Sequence, residues 1–177
     1  NMLKIDLHIH TDPAFYESSF DFSLDKLKEY VHNNRLQVIA ITNHNHFNKS
    51  QFNKIQATLS DIIVLPGVEI DIEKSHLLLI GNVDQAEEID NASGLLSKEI
   101  HSERDYISFD KFVEIFPDYH KYILIPHYKK SPAMQITTIN KFEGNLVCGE
   151  VRSAKQFEVI AKQTGKLVPV LFSDIRM

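Results

Sequence analysis

The sequence predicts an α/β fold with a mainly parallel sheet, and two observations carry this prediction. Short apolar runs typical of buried strands alternate along the whole chain with amphipathic stretches of helical periodicity. The 177 residues are 43% hydrophobic and 24% charged, which is usual for one globular domain. Because no repeat, low-complexity run or linker divides the chain, we expect a single domain over residues 1–177.

Seven strands are predicted. The first covers residues 2–9 (MLKIDLHI), where apolar and polar residues alternate with the period of two that a strand requires. On that period the apolar residues share one face, while Asp6, His8 and His10 share the other. The remaining strands are expected over residues 37–42, 62–70, 75–81, 122–127, 145–151 and 167–174.

Helices are predicted between most of these strands. Residues 23–34 form an amphipathic pattern that Ser23 is suited to cap, and residues 153–165 form another between Ser153 and Gly165. Pro117 is expected to end a helix over residues 108–116. Further helices are expected around residues 48–59 and 132–141, and the polar stretch over 82–121 indicates one or two helices and a loop.

Charge and composition argue against several classes of protein. The net charge of −5 argues against a chain that wraps nucleic acid by bulk charge. No apolar run of membrane-spanning length and no signal peptide is visible, and the single cysteine, Cys148, is typical of a reducing compartment. We therefore expect a cytoplasmic protein. Asn1 before Met2 is typical of tag removal, and we expect the N-terminal part of a longer protein with a fused C-terminal domain.

Histidines and carboxylates lie at the C-terminal end of nearly every predicted strand. In proteins that alternate strands and helices, this edge holds the active site because the loops that follow the strands converge there. His76 is the exception, since it opens its predicted strand. The residues at strand ends are His8, His10, His44, Glu69, His127, Glu150 and Asp174.

Each of these residues taken alone has an ordinary structural explanation, because a single histidine beside a strand is more often packed or solvated than a ligand. We interpret Glu150 as a structural or supporting residue and His46 as a neighbour of His44. Three further histidines in polar surroundings are interpreted as solvated, namely His32, His101 and His120. With Glu150 set aside and His76 included, five histidines and two acids that converge on one edge are nevertheless hard to obtain by chance.

This joint pattern predicts a metal site. Imidazole nitrogen and carboxylate oxygen suit zinc, manganese or iron, and the lack of sulfur excludes a structural zinc site of the cysteine type. These five histidines and two acids are seven candidate ligands, whereas one tetrahedral zinc binds four. The excess favours a multinuclear site with one bridging carboxylate. Two metals roughly 3.5–4 Å apart suit phosphoryl transfer.

Six motifs resemble those of the PHP (polymerase and histidinol phosphatase) family of metal-dependent phosphoesterases. They are DLHIHT, ITNHN, PGVEI, HLLLIG, IPH and FSD, and they occur in this order between residues 6 and 174. The resemblance implies a distorted (β/α)7 barrel with mainly parallel strands and a metal site at its C-terminal rim. It implies that one metal is held by His8, His10, Glu69 and Asp174, that Glu69 bridges to a second held by His76 and His127, and that His44 belongs to a third.

The chain departs from the family at the third metal. The last motif of the family is usually SDxH, whereas this chain has SDIR. Arg176 therefore stands where the last histidine is expected. The family also often has a histidine or aspartate ligand a few residues beyond HxHT, where this chain has DPAFYESSFD. Asp12 or Glu17 in this stretch could still complete a third site. We predict two metals, or three with such a substitute, and we predict that Arg176 clamps a phosphate group. The alternative is that Arg176 only pairs with a carboxylate.

The expected activity is hydrolysis of a phosphate mono- or diester by a metal-bound hydroxide. His44 or Asp174 would handle the proton, and the substrate would be a phosphorylated small molecule or a nucleic-acid end. A second hypothesis is a catalytically reduced module that serves as a structural or regulatory domain of a larger ATPase or polymerase. The loss of the last histidine favours that hypothesis, and the retained ligands oppose it. A third is amidohydrolase chemistry, which also uses HxH on a first strand but commonly in longer barrels.

Overall fold

The structure is a computed structural model that describes residues 2–177. It confirms the predicted alternation of strands and helices. The strands are β1 (Ile5–His10), β2 (Val38–Ile41), β3 (Ile63–Ile72), β4 (Ser75–Ile80), β5 (Ile123–Lys129), β6 (Cys148–Val151), β7 (Val168–Val170) and β8 (Ile175–Arg176). The helices are α1 (Leu24–Asn34), α2 (Lys49–Thr58), α3 (Ala86–Glu99), α4 (Phe109–Ile115), α5 (Ile136–Lys141) and α6 (Ala154–Ala161).

All eight strands belong to one curled sheet in the order β7-β6-β5-β4-β3-β2-β1-β8. Neighbouring strands are parallel except at β4, which runs antiparallel to both β3 and β5, so the sheet is mixed. Within residues 2–177 no ladder joins β7 to β8, and the sheet is therefore open there. The last predicted strand, over 167–174, is observed only as β7, because residues 171–174 belong to no strand. Strand β8 begins after Asp174, whose φ of 53° is left-handed.

The reversed strand β4 explains why His76 is not an exception to the pattern of strand ends. A two-residue turn at Glu73 and Lys74, both with positive φ, joins β3 to β4 as a hairpin. The first residues of β4 therefore lie at the edge where the parallel strands end. Asp71 on β3 is directly opposite His76 on β4.

Two apolar layers cover the faces of the sheet. Along β4, Leu77 and Leu79 pack in the larger layer between sheet and helices, whereas Leu78 and Ile80 pack in a smaller layer on the inner face. Burial on both faces accounts for the continuous apolar run of this strand. The inner layer consists of Leu7, Ala40, Leu78, Ile80 and Ile125.

Strand β1 contains an irregularity that the sequence pattern does not show. Its register against β2 shifts by one residue after Asp6, so that Leu7 and His8 together lie opposite Ala40. The strict alternation predicted for this strand is therefore wrong. Leu7 packs in the inner layer, and Asp6 lies on the helix side of the sheet, where the hydroxyl of Tyr30 donates to it.

The helices are positioned by side-chain caps. Four N-cap side chains accept a hydrogen bond from the backbone N–H three residues later, namely Ser23, Asn48, Ser108 and Ser153. The uncertain stretch over 82–121 contains α3 and α4, while α5 begins later than predicted. Among the described residues, no helix combines the length and apolar character that crossing a bilayer requires.

Candidate metal centre

The structure brings the predicted ligands together in one pocket at the C-terminal edge of the parallel strands. The imidazoles of His8, His10 and His127 and the carboxylate of Glu69 are buried, and His44, His76 and Asp174 are partly exposed at the mouth of the pocket. Each lies within the last four residues of a strand or in the loop after it, except His76, which comes from the start of the antiparallel strand β4. The metal-binding roles of these residues remain predictions.

The first group of side chains converges around His10. Its Nε2 lies 3.1 Å from His8 Nε2, 3.0 Å from Asp174 Oδ1 and 3.2 Å from Glu69 Oε2. His8 Nε2 also contacts Glu69 Oε2 directly, and it lies 3.2 Å from Asp174 Oδ1. One donor atom from each of these four residues lies within 4.8 Å of the others, which is close enough to share a single ion.

A second group uses the other oxygen of Glu69. Glu69 Oε1 lies 2.6 Å from His76 Nδ1 and 3.6 Å from His127 Nε2. The two oxygens of one carboxylate therefore face different groups of histidines, which is the arrangement that a bridging ligand needs.

His44 lies beside both groups. Its ring stacks on the ring of His10, with centroids 4.6 Å apart, and its Nδ1 is 3.8 Å from Glu69 Oε1. Its Nε2 lies 3.4 Å from Glu17 Oε1. Asp12 instead accepts hydrogen bonds at 3.0 Å from both His46 and Asn48, away from His44. Of the two proposed substitutes for a third site, the structure thus places Glu17 against His44.

Arg176 lies at the rim with 47% of its side chain exposed. Its Nη1 is 3.8 Å from Asp174 Oδ1, so its nearest ionic partner is a predicted ligand. Three histidines predicted to be solvated, His32, His101 and His120, are exposed.

Lys130 is a member of the pocket that sequence reasoning missed. Its Nζ donates to Glu150 Oε1 and to Asp174 Oδ2, both at 2.8 Å. Glu150 in turn accepts from His8 Nδ1–H at 2.8 Å, which leaves His8 Nε2 free to act as a ligand. The available signal was the position of Lys130, three residues after His127 at the end of a buried strand.

Asp71 was also missed. Its Oδ1 lies 2.9 Å from His76 Nε2, and its Oδ2 accepts from Asn45 Nδ2 at 3.0 Å. His44, Asp71 and His76 form a further group with donor atoms within 4.8 Å. The signal in the sequence was the spacing of Glu69 and Asp71, which places both on one face of a strand.

Protonation in this pocket is set by the buried carboxylates. Burial disfavours charge on His8, but Glu69 and Glu150 outweigh it and raise the pKa of His8 to about 9. Burial also disfavours charge on His76, but contacts with Asp71 and Glu69 outweigh this effect and raise the pKa of His76 to about 10. Although burial opposes ionisation of Glu69, the surrounding histidines hold the pKa of this carboxyl well below its usual range.

His127 differs from its neighbours and supplies a test of whether the pocket fits a metal. Burial lowers its pKa to about 4, so the ring is neutral near neutral pH. Neither ring nitrogen has a hydrogen-bond partner among the described residues, although both are buried. A neutral buried imidazole nitrogen that faces Glu69 has the lone pair that a divalent metal requires. The residues present therefore fit a centre with nitrogen and oxygen ligands.

A cleft reaches the edge of this centre at His44 and His76. A cavity of about 180 Å³ is lined by His44, His76, Asp71, Glu17, Tyr16 and Glu103. A second cavity of about 380 Å³ shares His76 and Asp71 with it and adds Lys74, Arg104 and Tyr106. The two cavities are large enough for a small polar molecule to reach His44 and His76.

Comparison with known proteins shows a likeness in fold. No protein-family model matches the chain, and no curated protein matches it. Among the solved structures that do match is a protein from Bifidobacterium adolescentis that is provisionally described as a metal-dependent phosphoesterase. It shares 14% identity with this chain, at a TM-score of 0.55, and the match covers 98% of this chain and 88% of that one. At this identity the likeness establishes the fold alone.

Proposed function

We propose that this protein is a metal-dependent hydrolase of phosphate esters. The observation that carries the proposal is the position of Glu69, whose two oxygens face two separate groups of imidazoles within one buried pocket. Such a carboxylate is suited to bridge two divalent metals, as in two-metal phosphoryl transfer. The motifs that resemble the PHP family and the likeness to the Bifidobacterium protein both support the proposal.

The first metal would be held by His8, His10, Glu69 and Asp174, and the second by Glu69, His76 and His127. Zinc, manganese or iron suits these ligands. Bound there, the pair supplies Lewis acidity to phosphoryl oxygens and lowers the pKa of a water molecule. In this proposal the curled sheet corresponds to the distorted barrel of the PHP family, with β4 reversed.

The chain's own residues orient the substrate and move the proton. His44 lies at the cleft with both ring nitrogens turned to carboxylates, and burial lowers its pKa, so the neutral ring can accept a proton. Arg176 and Lys130 flank Asp174 with positive charge. Arg176 is exposed enough to contact a phosphate that enters from the rim, whereas Lys130 is engaged by two carboxylates.

The test is hydrolysis of an aryl phosphate after the protein has been loaded with Zn²⁺, Mn²⁺ or Fe²⁺. His10→Ala and Asp174→Ala should each abolish turnover, because both remove a ligand of the first site. His101→Ala, which changes an exposed histidine away from the pocket, is the matched control and should retain full activity. Natural substrates are then sought among phosphorylated small molecules and nucleic-acid ends.

The position of Arg176 supports a second candidate function. Its guanidinium lies next to Asp174 where the family has a histidine, which is the arrangement expected of a catalytically reduced module. In that case the domain would serve a larger ATPase or polymerase. Full metal occupancy without turnover of monoesters, diesters or nucleic-acid ends would favour this candidate. The cytoplasmic location and the fused C-terminal domain remain predictions.

A further inference from the structure

Asp6 is 3% exposed, and it lies on the face of β1 opposite the pocket. Four groups donate to its carboxylate. The Tyr30 hydroxyl donates to Oδ2 at 2.6 Å, and the Ser173 hydroxyl donates to the same oxygen. The backbone N–H groups of Ser173 and His8 each donate to Oδ1 at 3.3 Å. One side chain thus joins α1, β1 and the segment just before Asp174.

The bond to His8 lies at the irregularity in β1. The extra residue there turns the side chain of His8 into the pocket and disrupts the regular ladder with β2. Asp6 Oδ1 accepts the backbone N–H of His8 at this point. The carboxylate therefore stabilises the local backbone geometry that directs His8 towards Glu69.

The bonds to Ser173 lie at a second irregular position. Asp174 has a φ of 53°, and a left-handed conformation in a residue other than glycine needs support from its surroundings. Ser173 turns its hydroxyl towards Asp6, and Asp174 turns its carboxylate towards His10. The Ser173 hydroxyl oxygen also accepts the N–H of Ile175 at 3.3 Å. This hydroxyl therefore connects Asp6 to the residue that follows Asp174.

We propose that Asp6 is a positioning residue for the metal centre, because a single carboxylate binds the backbone N–H of His8 and that of Ser173, the residue directly before Asp174. The inference rests on the proposed function, since it assumes that these two residues are ligands of one metal. Asp6 touches neither the metal position nor the cleft, and it acts through the backbone of the ligands. The two ends of the chain would then be brought to one ion by a contact outside the pocket.

Ser173→Ala is the sharpest test, because it removes the hydroxyl that joins Asp6 to the backbone on either side of Asp174 and leaves the charge of the pocket unchanged. Isothermal titration of the folded variant with Mn²⁺ or Zn²⁺ should show affinity for the first metal reduced about 10- to 100-fold. Ser173→Thr, which keeps the hydroxyl, should restore affinity to within about threefold. Tyr30→Phe is the matched control, because it removes the other hydroxyl from the same oxygen and leaves the contacts of Asp6 with the backbone of His8 and Ser173 in place. The affinity of Tyr30→Phe for the first metal should stay within about threefold of the affinity of the original chain.

The outcomes separate this inference from the proposed function. If the original chain binds no divalent metal, the proposed function and this inference are both refuted. If it binds metal and Ser173→Ala binds equally well, the metal centre stands and the role of Asp6 is refuted. Equal losses in Tyr30→Phe and Ser173→Ala would also refute it, because Asp6 would then act only by attaching α1. Circular dichroism verifies each fold, and Ser173→Cys replaces Ser173→Ala with the same expectation if the latter does not fold.

Discussion

Individual side chains decide which nitrogen of each histidine is free to bind a metal. Glu150 holds His8 at Nδ1, so that Nε2 faces the pocket. His76 has the opposite arrangement, with Nδ1 towards Glu69 and Nε2 towards Asp71. Carboxylates that fix histidines in this way commonly set both the orientation and the basicity of metal ligands.

The raised pKa values predict that metal binding strengthens as the pH rises. His8, with a pKa of about 9, and His76, with a pKa of about 10, are protonated at neutral pH without metal, and a metal must displace these protons. The protonated fraction falls as the pH rises through each pKa, so affinity should increase from pH 7 to about 9. Affinity should rise up to about tenfold per pH unit for each proton displaced.

Titration calorimetry at pH 7 in two buffers of different ionisation enthalpy measures the protons released. At least one proton per bound metal is expected. An affinity that is flat between pH 7 and 9, with no proton release, would contradict the assignment of His8 and His76 as ligands.

Among the elements, the hairpin β3–β4 shows what sequence reasoning captured and what it missed. The two strands were predicted at nearly their observed positions, because their apolar pattern is unambiguous. Their relative direction was not predicted, since alternation of apolar residues does not encode direction. Four residues separate the predicted strands 62–70 and 75–81, and a parallel crossover requires about a dozen. Loop length was therefore the unused signal for the reversed strand.

The same hairpin gives a stability prediction. Lys74 has a φ of 59° in the turn, a conformation that glycine adopts more readily than lysine. Lys74→Gly should therefore increase the free energy of unfolding by about 0.5–1 kcal/mol. Lys54→Gly, in the middle of α2 and also exposed, is the matched control and should decrease it by about the same amount.

Urea unfolding monitored by circular dichroism distinguishes the two variants. The account of the turn would be wrong if both glycines lowered the free energy of unfolding equally. In that case the left-handed conformation at Lys74 would carry no cost.

For the whole molecule, the alternation of strands and helices was enough to predict the α/β class and the edge that carries the polar residues. The sequence did not predict the break over residues 171–174 or the short strand β8 that follows it. These depend on a left-handed residue and on contacts with Asp6, more than 160 positions away. The irregularity in β1 was missed for a similar reason, because a shift in register against β2 leaves no mark in the apolar pattern.

Because the ligands come from both ends of the chain, a bound metal should stabilise the entire fold. A ligand that binds only the folded state adds about 2.7 kcal/mol at a concentration one hundred times its Kd. For a domain of this size, that corresponds to a rise in Tm of roughly 5–10 °C. Differential scanning calorimetry should show this rise with Mn²⁺ and its reversal by a chelator. His10→Ala should lose most of it, and a Tm that does not respond to metal in the original chain would contradict the prediction.

The central claim is that separate parts of the chain form one pocket that holds metals on both sides of Glu69. Anomalous diffraction from crystals grown with Mn²⁺ tests it most directly. We expect one peak among His8, His10, Glu69 and Asp174 and another among Glu69, His76 and His127. A third peak beside His44 would replace the two-metal prediction with a three-metal centre. Crystals that contain manganese but show no peak within reach of Glu69 would contradict the claim.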